Sequence, residues 1–115
     1  MKIKLLKSKI HRATVTDACL DYEGSISIDR HLMDLADIVP YEKVHVLNVT
    51  NGNRIETYAI PSSIKGEICI NGAAAHLISK NDIVIIICYG TMKPKEAVNF
   101  LPTKIYPNKK NEIEK

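Results

Sequence analysis

Hydrophobic and polar positions alternate along most of this chain, and the alternation predicts a succession of short strands. Residues 2–7 (Lys-Ile-Lys-Leu-Leu-Lys) alternate well enough for a first strand. The β-branched cluster at residues 12–16 reads as a second. Ser27-Ile28-Asp29 leads into Leu32, Met33, Leu35 and Ala36, whose spacing suits one amphipathic helix with Asp29 as its N-cap and Pro40 at its end. Residues 44–50 and 55–60 flank Asn51-Gly52, the strongest short hairpin signal, which predicts a type I′ turn. Pro61-Ser62-Ser63 closes that unit. Residues 67–70 form another strand, Asn71-Gly72 a second turn and residues 73–76 a short helical turn. Residues 82–89 read as a fully buried strand, residues 103–106 as an edge strand, and the polar stretch from Pro107 as a frayed tail. Many short strands separated by turns imply a mainly β fold, a small closed barrel with short helices in one domain over residues 1–115.

Composition supports this and removes several function classes. The chain has 115 residues, 45% hydrophobic and only 5% aromatic with no Trp, so its core is built from Ile, Val, Leu and Ala. The net charge of +3 is spread along the chain. It lacks the basic stripe with interleaved aromatics that nucleic-acid binding calls for. Lys2, Lys4, Lys7 and Lys9 form the one patterned basic run and predict an exposed strand face. Cys19, Cys69 and Cys88 are odd in number and without CxxC spacing, which implies free thiols in a reducing, cytoplasmic compartment. No signal peptide is expected at the N-terminus, and no apolar run reaches membrane-spanning length. His31, His45 and His76 lack metal-ligand spacing, so no metal is implied.

Taken alone, Gly24-Ser25 is a turn dipeptide, Thr57 and Tyr58 are strand residues, and Lys9 is a solvated lysine. Their ordered company changes that reading. Lys9-Ile10-His11-Arg12, Tyr22-Glu23-Gly24-Ser25, residues 48–54, Thr57-Tyr58-Ala59-Ile60, residues 71–76 and residues 81–86 together resemble the bacterial aspartate 1-decarboxylases, pyruvoyl-dependent enzymes of pantothenate biosynthesis. The resemblance covers nearly the whole chain. It implies a double-psi β-barrel, assembled as a homotetramer, that cuts itself between Gly24 and Ser25 into residues 1–24 and 25–115.

The residue types suit that chemistry. A serine hydroxyl can convert the preceding amide to an ester, and glycine before it tolerates unusual backbone angles that expose the carbonyl. Elimination and hydrolysis then leave a pyruvoyl cap on Ser25, a covalent electron sink able to form a Schiff base with L-aspartate. By resemblance, Thr57 assists processing and Tyr58 donates the proton that completes β-alanine. Adjacent strand residues face opposite ways, so Thr57 and Tyr58 need a bulge to serve one site, or they serve different chains. Arg54 suits a bidentate carboxylate clamp, placed on the retained side-chain carboxylate of the substrate, with Lys9 beside it. Asn71 and the backbone of Gly72, Ala73, Ala74 and Ala75 could orient or bind an anion. His11 and Tyr22 are further candidates, ranked lower. The sequence leaves open whether cleavage is spontaneous or needs a processing activator. Two other readings compete: a non-catalytic β-barrel binding module, and a small DNA-binding barrel.

Overall fold

The computed structural model describes residues 1–114. In chain order it contains β1 (Ile3–Thr14), β2 (Asp17–Cys19), β3 (Ser25–Asp29), α1 (Arg30–Leu35), β4 (Lys43–Asn48), β5 (Arg54–Ser62) and β6 (Ile68–Asn71). A 3₁₀ turn (Gly72–His76), β7 (Ile83–Met92), α2 (Pro94–Ala97) and β8 (Thr103–Ile105) follow. The strands pair in the order β2-β6-β3-β5-β4-β7-β1-β8. The end strands β2 and β8 do not close this ladder. Instead β1 runs into β2 across two residues. The Val15 N–H donates to the Asp82 carbonyl beside β7, and the Thr16 N–H donates to the Ile68 carbonyl of β6. The chain therefore passes from one end of the sheet to the other, and the sheet curls around a core of Ile10, Val15, Ile26, Ile28, Val44, Val46, Ile70 and Ile86, all fully buried. This is the mainly β, barrel-like architecture with short helices that the pattern implied. No helix of the described residues is long and apolar enough to cross a membrane.

Asp29 caps α1 as expected, its Oδ1 accepting from the His31 N–H at 2.9 Å. The helix stops well before Pro40. Asp37 takes a left-handed φ of 57°, the Ile38 N–H returns to the Met33 carbonyl and the Asp37 N–H to that of Asp34. That is a Schellman closure, with Asp37 in the position glycine usually takes.

Other expectations are corrected by the structure. Residues 2–7 and 12–16 do not form two separate strands. Residues 3–14 are one strand paired with β7 through two register shifts, at Leu6/Ser8 and Ile10/Ala13. Lys7 is the extra residue at the first shift, between Leu6 opposite Tyr89 and Ser8 opposite Cys88, so the lysine run is not one exposed face. Lys7 is half-buried and its Nζ donates to both carboxylate oxygens of Glu42 at 2.9 and 2.8 Å. Burial opposes both charges, yet this bond holds the Lys7 pKa above and the Glu42 pKa below their usual values.

The Asn51-Gly52 hairpin forms between β4 and β5, but not as a type I′ turn. Only Gly52 is left-handed (φ 82°), and the loop closes through the Gly52 N–H to the Asn48 carbonyl. β5 continues through Pro61 to Ser62 because it pairs in parallel with β3 there. β7 extends to Met92 and is not buried throughout: Ile83 and Ile85 are half-buried, and beyond Cys88 the strand is half-buried with Thr91 exposed.

The C-terminal segment is anchored, not frayed. Asn111 is buried; its Oδ1 accepts from the Thr14 N–H, and its Nδ2 donates to the Thr14 and Gly66 carbonyls. Asn111→Ala leaves three backbone groups without their partner. A loss of about 2–3 kcal/mol, from one to two buried polar groups left unsatisfied, is expected in denaturant melts. A change below about 0.5 kcal/mol would mean that water replaces the amide.

Candidate active site

Ser25 opens β3, where it pairs with Asn71 of β6, and Ile26 pairs with Ala59 of β5. Alternation separates the two faces. Ile26, Ile28, Ala59 and Ile70 point into the core, whereas Ser25, Ser27, Cys69 and Asn71 share the opposite face. Ser25 is nonetheless only 3% exposed. The Asn71 Nδ2 donates to the Ser25 Oγ at 2.9 Å and to the Ser27 Oγ at 3.0 Å. Its Oδ1 accepts from the Cys69 thiol at 3.3 Å. Asn71 is thus held by its neighbours across the ladder, and its side chain caps no helix.

These residues line a cavity of about 610 Å³, in the range usual for small-ligand sites. Tyr22, Tyr58 and Tyr41 contribute its aromatic wall, with the Tyr41 and Tyr58 ring centroids 6.1 Å apart. Asp17, Glu23 and Glu67 also line it, and no lysine or arginine of the described residues does.

Glycine matters at this site in a different place from the one expected. Gly24 is not left-handed, and a Cβ there would meet nothing within 4 Å. Gly72 is the constrained one, with φ 76°. A Cβ on it would lie 2.7 Å from the Gly24 Cα, 2.8 Å from the Gly24 N and 3.0 Å from the Tyr22 carbonyl. Gly72 therefore lets the 3₁₀ turn press against the backbone of the Tyr22–Gly24 segment. Ala74 and Ala75 pack on the core and Ala73 is exposed; none of the three lines the cavity.

The remaining candidates lie elsewhere on the same chain. β5 pairs with β4 without a bulge at Val44↔Thr57 and Lys43↔Tyr58, so Thr57 and Tyr58 face opposite ways, and Thr57 does not line the cavity. Arg54 is four residues before Tyr58 on the same face, roughly 13 Å away along the strand. Its Nη2 donates to the Tyr89 hydroxyl at 3.1 Å and contacts the His45 Nδ1 at 3.2 Å. Lys9 lies on β1 between Ile87 and Lys104. The His11 ring meets the Tyr106 ring edge-on at 5.7 Å, and its Nδ1 has no partner among the described residues. Burial and the charges of Lys9 and Arg12 hold its pKa below the usual value.

A Gly-Ser pair beside a tyrosine-walled cavity, with the serine oxygen held by an asparagine amide, narrows the comparison to proteins that share this arrangement in sequence. The aspartate decarboxylase family model matches residues 1–114. The chain belongs to this family. It is 54% identical to the aspartate 1-decarboxylase of Campylobacter fetus, over 98% of both chains. It is 56% identical to that of Thermoanaerobacter pseudethanolicus, over 93% of this chain and 92% of that protein. It is 53% identical to that of Clostridium botulinum, over 100% and 91%. Family membership does not favour the reading as a non-catalytic binding module.

Ser27, Cys69, Tyr41 and the three carboxylates of the cavity were not among the site residues expected from sequence. A period-2 count was enough for two of them: Ser27 is two residues from Ser25, and Cys69 two from Asn71, hence on the same faces. Tyr41, Asp17 and Glu67 carry no local signal, because separate segments bring them to the wall.

Proposed function

We propose that this chain is an aspartate 1-decarboxylase that makes its own prosthetic group from Ser25. The observation that carries the reading is the buried Ser25 hydroxyl, directly after Gly24, held by Asn71 and facing a ligand-sized cavity shared with Tyr58. The Ser25 Oγ attacks the Gly24 carbonyl carbon, the C–N bond breaks, and the amide becomes an ester. Loss of the Ser25 α-hydrogen then expels the Gly24 carboxylate together with Oγ. Water replaces the nitrogen of the resulting dehydroalanine, ammonia leaves, and residues 25–115 carry a pyruvoyl cap while residues 1–24 form a second fragment. The Asn71 N–H pointed at Oγ favours negative charge on that oxygen as it departs.

The residues suit such a group, because its position would be walled by Tyr22, Tyr58 and Asn71. A pyruvoyl group supplies an electron sink for decarboxylation, the role pyridoxal phosphate fills elsewhere. Tyr58 returns a proton to the substrate α-carbon, giving β-alanine.

Aspartate carries two carboxylates, whereas this chain lines its cavity with three more and no lysine or arginine. The missing cations support a homo-oligomer, a tetramer by resemblance. In it Arg54 and Lys9 of a neighbouring copy reach the site, and Thr57 assists cleavage from the same direction. The exposed Tyr22 and Tyr41 at the cavity suit cover by another copy. Three free cysteines suit a cytoplasmic location.

Intact-mass measurement and β-alanine release from aspartate test the reading together. Two fragments, the larger pyruvoyl-capped, with β-alanine formed, is the expected result; an intact 12.9 kDa chain after long incubation overturns it. Cleavage only in crude extract would point to an activator. Co-assembly tests the shared site. Ser25→Ala and Arg54→Ala chains are each expected to be inactive alone. Mixed in equal amounts they regain about one quarter of wild-type activity, because only sites pairing an intact Ser25 with an intact Arg54 work. No recovery in confirmed mixed oligomers would place Arg54 and Ser25 of one chain in the same site.

A further inference from the structure

We propose that Cys69 is a positioning residue for self-cleavage: its thiol hydrogen, donated to the Asn71 amide oxygen, turns the amide nitrogen toward Ser25. The inference rests on the self-processing reading above and extends it to a cavity residue that is bonded to Asn71 rather than to Ser25.

The geometry is a closed set of contacts on one face of the β3–β6 ladder. Ser25 pairs with Asn71, and Ser27 with Cys69. Asn71 spends both N–H hydrogens on the two serine oxygens, at 2.9 and 3.0 Å, and its oxygen meets the Cys69 sulfur at 3.3 Å. Both Asn71 and Cys69 are buried, so water does not compete freely for the amide. A serine hydroxyl can donate or accept, so the two serines do not by themselves choose which way the amide points. The sulfur favours one orientation, because a protonated thiol can give its hydrogen to the amide oxygen, the contact seen at 3.3 Å. Burial, the neighbouring Cys19 thiol 4.0 Å away, and the charges of Glu67 and Asp17 push the Cys69 thiol up to about 12. Cys69 therefore keeps its hydrogen near neutral pH.

Orientation matters to the reaction because Oγ gains negative charge when it leaves with the Gly24 carboxylate. In the observed orientation an N–H faces that charge. In the reverse orientation the Asn71 carbonyl would face it and raise the barrier. Ser27, the second oxygen on Nδ2, completes the hold.

Cleavage rates of freshly purified, still uncut chain, followed by intact mass, test this for wild type, Cys69→Ser, Cys69→Ala and Cys69→Val. Serine keeps a donor; alanine and valine do not, and valine keeps most of the volume. Expected is a roughly tenfold slower cleavage in the alanine and valine variants, from the loss of one orienting hydrogen bond, and a rate within about twofold of wild type for serine. Thermal melts should rank the four differently from the rates, since packing favours valine over serine at this buried position. Equal rates in all four, or a serine variant as slow as the others, would overturn the positioning role while leaving self-processing in place. If alanine fails to fold, the valine and serine pair decides. If wild type itself stays uncut, the self-processing reading fails and this inference with it.

Discussion

Replacing Ser25 with alanine leaves one uncut chain of 12.9 kDa and no measurable decarboxylation of aspartate. The expected loss is on the order of 10⁴-fold or more, as when a catalytic nucleophile is removed outright. The alanine still fits β3, because the Ser25 side chain faces the cavity rather than the core and contributes one hydrogen bond, to Asn71. Folding should therefore survive, and circular dichroism of the variant should match wild type. This separates the chemistry from the scaffold. Retained β-alanine formation in a homogeneous uncut sample would refute a prosthetic group made from Ser25.

Tyr58→Phe should behave differently: full cleavage into two fragments, followed by poor turnover. The phenol lines the same cavity but is not among the groups bonded to Ser25 or Asn71. On the proposed reading, self-cleavage draws on those contacts and not on Tyr58. Loss of a positioned general acid costs about 10²–10⁴-fold in turnover. The phenylalanine ring keeps the contact with Tyr41, so KM should change little while kcat falls. The assay is β-alanine formation per cleaved chain, with the cut fraction fixed by mass. Wild-type turnover in fully cleaved Tyr58→Phe would assign the proton to another group or to water.

How much of this could be read from the chain alone depends on the range of the interactions involved. Asp29 capping α1 and the β4–β5 hairpin were legible because the partners are within a few residues of one another. The end of the helix was misplaced: Pro40 is the louder local signal, but the Ile38 N–H closes the helix earlier, on a buried Ile38 that only the core explains. The two short strands near the N-terminus merged because β7 offers one continuous partner, and bulges absorb the mismatch. The polar tail looked frayed because its hold is one side chain, Asn111, whose three partners lie 45 or 97 residues away.

By itself, the sequence determined the family and the mainly β alternation and named the candidate reacting groups, since these depend on residue type and order. Only the tertiary structure decided which of those groups meet. It brings Ser25, Asn71 and Tyr58 to one cavity and leaves Thr57, Arg54, Lys9 and His11 outside that cavity in a single chain. The physical reason is the period-2 geometry of paired strands. Once Ser25 is placed opposite Asn71 and Ile26 opposite Ala59, every neighbouring side chain is assigned to the core or to the site. It also moved the need for glycine from Gly24 to Gly72, where two backbone segments distant in sequence approach too closely for any side chain between them.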